Sequence, residues 1–182
     1  MPNWCENTVT LSHANPAMIA RVKKAFAAGN LFNEFIPMPP GLPPAGLQET
    51  EAWYEWALEN WGTKWDVGGD DEAWAIILEQ GTVVTPEAVG TYVKLAFRSA
   101  WSPPIPVYEK LSAEGFYIEA SYSEEAMEFC GEWSTHAKEV YYDYQGWTYD
   151  EIKAKIPTRL IEEYCIMGMV NADDDPELDP AR

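Results

Sequence analysis

Histidine and cysteine are scarce: the 182 residues include only His13, His136, Cys5, Cys130 and Cys165. Neither histidine has a Cys, His or carboxylate partner at metal-ligand spacing, and there is no C-x-x-C, so the sequence offers no zinc or redox motif. An odd number of dispersed thiols fits a reduced, intracellular compartment. Cys5 and Cys130 fall inside expected strands, as packed thiols do. Nucleotide-binding glycine loops, the G-x-S-x-G elbow and H-E-x-x-H are also missing. The runs Asp70-Asp71-Glu72 and Asp173-Asp174-Asp175 lack the spacing of a calcium loop and read as solvated charge. No catalytic residue, metal site or cofactor follows from the sequence.

Positive charge is the next shortage. Twelve Lys and Arg face 30 Asp and Glu, a net charge of −18. The imbalance is uneven. Residues 1–48 carry Arg21, Lys23 and Lys24 against Glu6 and Glu34, which leaves a net −19 for the remainder. Such a field repels DNA, RNA and anionic lipid, whose binding needs Lys and Arg at phosphates. Apolar runs are short, as in Ala75-Ile76-Ile77-Leu78, and the opening Met-Pro-Asn-Trp-Cys-Glu has no basic or apolar signal region. A soluble protein with no membrane span is expected.

What the chain does have is apolar and aromatic mass: 47% hydrophobic residues and nine tryptophans. A chain of this length buries about 70% of the surface it exposes when unfolded, enough for one packed domain.

Residues 4–12 alternate and predict a first strand, with Cys5, Asn7, Val9 and Leu11 on one side. Asn15 and Pro16 open a helix, Gly29 ends it, and Met18, Ile19, Val22 and Phe26 share its apolar face. Residues 37–47, with their prolines and glycines, are an extended surface crossover. A tryptophan-rich helix over 51–60, capped by Thr50 and stopped by Gly62, sits in an insert spanning about 30–70. Strands are expected at 72–80 and 91–99, then a helix over 102–114 capped by Ser102, with Pro103 and Pro104 in its first turn. Residues 116–123 and 127–134 form a hairpin. One of its faces is apolar; the other carries Tyr117, Glu119, Glu128, Cys130 and Glu132. A further strand at 138–144 and a capping box, Thr148-Tyr149-Asp150-Glu151, introduce a C-terminal helical extension within 136–170. Residues 171–182 form an acidic, disordered tail. The core order βαββαβ predicts an α+β, ferredoxin-like fold: an antiparallel sheet with helices on one face.

Two motifs stand out from this frame. Asn60-Trp61-Gly62-Thr63-Lys64-Trp65-Asp66 closes a helix on a glycine turn between indoles, and Ala100-Trp101-Ser102-Pro103-Pro104 turns a strand into a helix. With Met1-Pro2-Asn3-Trp4-Cys5-Glu6-Asn7 and Phe35-Ile36-Pro37-Met38-Pro39, they make this chain resemble the YubB-like family of phage and conjugative-plasmid proteins over roughly residues 1–135. Arg98-Ser99-Ala100 stands where that family tends to have Thr before Ala-Trp. The resemblance implies a ferredoxin-like domain, a mobile-element origin and the host cytoplasm. It brings no activity or binding site.

Two surfaces are therefore candidates. The acidic sheet face of Tyr117, Glu119, Glu128 and Glu132 suits a non-enzymatic accessory role, binding and modulating a host protein with a basic surface such as a defence nuclease. The region of Trp61, Lys64, Trp65 and Trp101 suits a nucleotide or other small ligand, as a binding protein or an enzyme, Lys64 pairing either an anion or Asp66 or another nearby carboxylate. An RNA or single-stranded DNA module that stacks bases on Tyr117 is disfavoured by charge.

Overall fold

A computed structural model describes residues 3–42, 51–69, 75–84 and 89–169. The expected Thr50 cap, the start of the second strand, both aspartate runs, residues 43–47 of the proline-rich crossover and the acidic tail lie outside the described residues.

Six strands form one antiparallel sheet: β1 (Trp4–His13), β2 (Ala75–Val84), β3 (Val89–Ala100), β4 (Tyr117–Glu124), β5 (Phe129–Ser134) and β6 (Lys138–Asp143), in the order β2-β3-β1-β4-β5-β6. The helices are α1 (Pro16–Ala27), α2 (Leu31–Phe35), α3 (Glu51–Trp61), α4 (Ile105–Ala113), α5 (Tyr149–Lys155), α6 (Thr158–Glu163) and α7 (Ile166–Met169). The α+β class is as expected.

Alternation decides which face each strand gives to which helices. Val9 and Leu11 of β1, Val93, Leu95 and Phe97 of β3, Ile118 and Ala120 of β4 and Trp133 of β5 join one core with Ile19, Val22 and Phe26 of α1, Phe32 and Phe35 of α2, Ala57 and Trp61 of α3 and Leu111 of α4. Cys130, an odd number of positions from Trp133, belongs to the opposite face. There it packs with Ile152, Ile156, Leu160, Tyr164 and Ile166. The expectation of helices on one face holds for α1 to α4 and fails for α5 to α7, which cover part of the other. Strand alternation identifies an outward face but cannot tell solvent from a later segment of the same chain.

Local punctuation explains the element ends. The Asn15 side chain accepts the Ala17 N–H at 3.0 Å and Pro16 opens α1. Thr148 and Glu151 close the capping box of α5 reciprocally. Ser102 does not cap α4: the helix starts at Ile105, after Pro104, and the Ser102 hydroxyl donates instead to the Gly62 carbonyl at 2.5 Å. The β4–β5 turn is also shifted. Glu124 ends β4, and Glu128 stands in the turn with φ +55° rather than in β5.

Candidate binding surfaces at one end of the sheet

The sequence motifs at residues 3–7, 60–66 and 98–104 are far apart in the chain and meet at one end of the sheet. Trp4 pairs with Ala100 across β1 and β3. The Trp101 N–H donates to the Asn3 carbonyl at 2.9 Å, and the Thr63 hydroxyl donates to the Ala100 carbonyl at 2.9 Å. Buried Asn7 donates to the Ser99 hydroxyl at 2.8 Å, and Ser99 donates to the Ser102 carbonyl at 2.7 Å. Gly62 must be glycine. Its φ is +77°, and a Cβ there would stand 2.8 Å from the Pro106 ring. Two turns from distant segments thus lock together through backbone acceptors.

This locking lines up a row of aromatic rings. Trp4 and Trp65 have centroids 6.0 Å apart, and Trp65 and Trp101 stack at 6.4 Å with 25° between planes. Tyr54 meets Trp101 edge-on at 5.9 Å. The Lys64 ammonium lies 4.5 Å from the centre of the Trp65 ring and 6.0 Å from that of Trp101. Trp101 holds φ +67°, a left-handed conformation that is an outlier for a bulky residue. Trp61, expected in the same group, is buried elsewhere: its ring packs on Phe32 and Trp56, and its indole N–H donates to the Ile36 carbonyl at 3.0 Å.

Asp66 turns inward. Its carboxylate accepts the N–H groups of Phe32, Asn33 and Val67 at 2.7 to 2.8 Å, so it fastens α2. Burial pushes its carboxyl above the ordinary value, against the downward pull of those donors. Beside it a cleft of about 420 Å³ opens between Trp4, Trp65, Val67, Ala75 and Arg98. Trp4 and Arg98 join this site through the tertiary structure. The signal for Trp4 was its outward parity in β1.

On the other side of Trp4 a second cleft of about 480 Å³ is lined by Glu6, Glu124, Glu125 and Arg98. Arg98 bridges to Glu6, its Nε donating at 3.0 Å. Glu124 is buried, and its two oxygens accept the Ala126 N–H at 3.0 Å and the Met127 N–H at 2.6 Å, which shapes the turn. Large apolar side chains are exposed at this end, Trp4 at 42% and Met127 at 57%, and Tyr141 at 52% on the opposite sheet face.

The expected acidic sheet face is a different place and has a different character. Glu119 and Glu132 do share a face, but Glu128 is in the turn, and Glu132 is ion-paired to Arg159 of α6. Tyr117 donates to Glu119 at 3.1 Å and packs on His136. The surrounding cleft carries Lys94, Lys138 and Arg159 beside Glu119, Glu132 and Glu163. It is a balanced polar face and not a row of carboxylates.

His13 has a structural place. Its Nδ1 accepts the Asn15 N–H at 2.9 Å, so Nε2 carries the proton toward the Glu114 carbonyl at 3.3 Å. Among the described residues no group of three or more His, Cys, Asp or Glu could hold a metal ion, and no helix is long and apolar enough to cross a membrane. No family model, curated protein or solved structure matches the chain.

Proposed function

We propose that this protein acts by binding a host protein through a basic patch on that partner, as an accessory protein of a mobile element related to the YubB-like family. The observation that carries this reading is the turn end of the sheet. There Glu6 and Glu125 line one cleft with the half-exposed Trp4 over the buried Glu124, and Met127 stands exposed in the adjoining turn. Arg98 is the one basic residue of that lining and is already bridged to Glu6, which leaves Glu125 exposed beside it. Arginine suits such a surface because its guanidinium stacks on an indole while its donors reach a carboxylate. An exposed aromatic anchor beside charged groups has the make-up of an interface hot spot. The acidic surface is therefore moved from the sheet face to the β4–β5 turn. A fold reading accompanies it: β2-β3-β1-β4 with α1 and α4 would be a ferredoxin-like unit, to which β5, β6 and α5 to α7 are added at the β4 side.

The test uses a fluorescent arginine-rich peptide as a stand-in for the basic patch, read by anisotropy. Binding is expected to weaken as salt rises, to fall strongly in Glu125→Lys and Trp4→Ala, and to persist in Glu119→Gln. Equal binding by all three variants would reject the turn as the surface.

A further inference from the structure

The aromatic row does more than the acidic turn requires. Trp65, with Trp101 stacked behind it, walls the 420 Å³ cleft, which shares Trp4 and Arg98 with the acidic one and is also lined by Asp66, whose carboxylate is taken up by the N–H groups of α2. That volume falls within the usual range of small-molecule sites, roughly 300 to 1,000 Å³. We propose that the cleft between Trp4, Trp65 and Arg98 binds a flat heteroaromatic ring carrying an anionic group, the chemistry of a mononucleotide.

Three observations converge on that ligand. The walls are indole faces: Trp4 and Trp65 meet at 34° and are exposed or half-buried, so a planar ring can lie against them. The cations are local exceptions in an acidic chain. Arg98 lines the cleft while bridging to Glu6, and its guanidinium can share its donors with an anionic substituent there; Lys64 stands against the Trp65 ring.

The third observation is preorganisation. Trp65 is backed by Trp101, and Trp101 is backed by Tyr54. Trp101 reaches that position only by holding φ +67°, with its N–H fastened to Asn3 and the adjoining Ala100 carbonyl fastened to Thr63. Backbone strain of this kind persists where its surroundings enforce it, and it concentrates at binding sites. A wall fixed before the ligand arrives loses little freedom on binding.

The inference does not depend on a protein partner at the turn, and its test separates the two. AMP, adenosine and ribose 5-phosphate are titrated calorimetrically into the full chain. AMP is expected to bind, adenosine more weakly, and ribose 5-phosphate not at all. Trp65→Ala should weaken AMP by roughly 5- to 150-fold, the range for losing one stacked base, while Trp65→Phe keeps most of the affinity. Arg98→Gln should bring AMP down to the adenosine level and leave adenosine unchanged. Circular dichroism of each variant checks folding; if Trp65→Ala unfolds, the Arg98→Gln and Trp65→Phe comparison carries the test. No heat at millimolar AMP, equal binding of ribose 5-phosphate, or AMP affinity untouched by Trp65→Ala would overturn the assignment. Arginine-peptide binding is read separately, so the failure of one leaves the other standing.

Discussion

Glu151 shows how much one exposed carboxylate can depend on local geometry. It accepts the Thr148 N–H at 3.0 Å, closes the capping box and takes the Lys155 ammonium at 2.9 Å. The Thr148 backbone donor, followed by Lys155, holds its carboxyl down at about 2 from an ordinary 4.5. The unfolded chain therefore takes up this proton first as pH falls. The stabilisation is complete above the ordinary value and disappears as pH drops from there toward 2. Melting temperatures of the native protein and Glu151→Gln should converge between pH 5 and about 2; a constant gap would mean that the cap is not electrostatic. The capping box was legible because its two partners sit three residues apart. The Ser102 cap was misread for the opposite reason: Gly62, which claims the hydroxyl, is forty residues away and leaves no trace in the local pattern.

At the scale of elements, the two faces of the sheet hold separate clusters. Leu160 of α6 is fully buried among Cys130, Ile152, Ile156 and Tyr164, while Leu111 of α4 lies in the large cluster on the other side. Leu160→Ala should cost about 2 to 5 kcal/mol of local stability. Its effect should stay on its own face: amide hydrogen exchange is expected to speed up in α5 to α7 while α1 and α4 keep their protection. Uniform loss of protection would show that the clusters melt as one. Most of these elements could be read from period and punctuation, including the six strands and the hairpin. Their faces could be read too, since Ile118, Ala120 and Trp133 turn inward as parity requires. That α5 to α7 would occupy the reverse face could not, because parity says only that two residues are on opposite sides.

Across the whole molecule the three cysteines divide by depth. Cys5 and Cys130 are fully buried and Cys165 is exposed. Burial pushes the Cys130 thiol up to about 12 and raises Cys5 as well, with the Glu124 charge adding to the effect at Cys5. Since the thiolate is the reactive form, an aromatic disulfide reagent should titrate one thiol in the native protein and three in denaturant. Replacing Cys165 by Ser should remove the native reaction. Two fast native thiols would contradict the core described for β1 and β5.

Composition and alternation determined the α+β class, the strand sequence, the shortage of metal and phosphate motifs, and the overall acidity, because each is a property of local periodicity or of a count. The tertiary structure decided where charge and aromatic surface meet. Glu132 lost its role in an acidic row to Arg159, twenty-seven residues on. Glu128 left the sheet for a left-handed turn position. Trp61 was drawn into the core while its neighbours Lys64 and Trp65 joined Trp4 and Trp101 at the surface. Each outcome turns on which distant segment fills the adjoining space, and packing settles that between elements that sequence spacing cannot bring together.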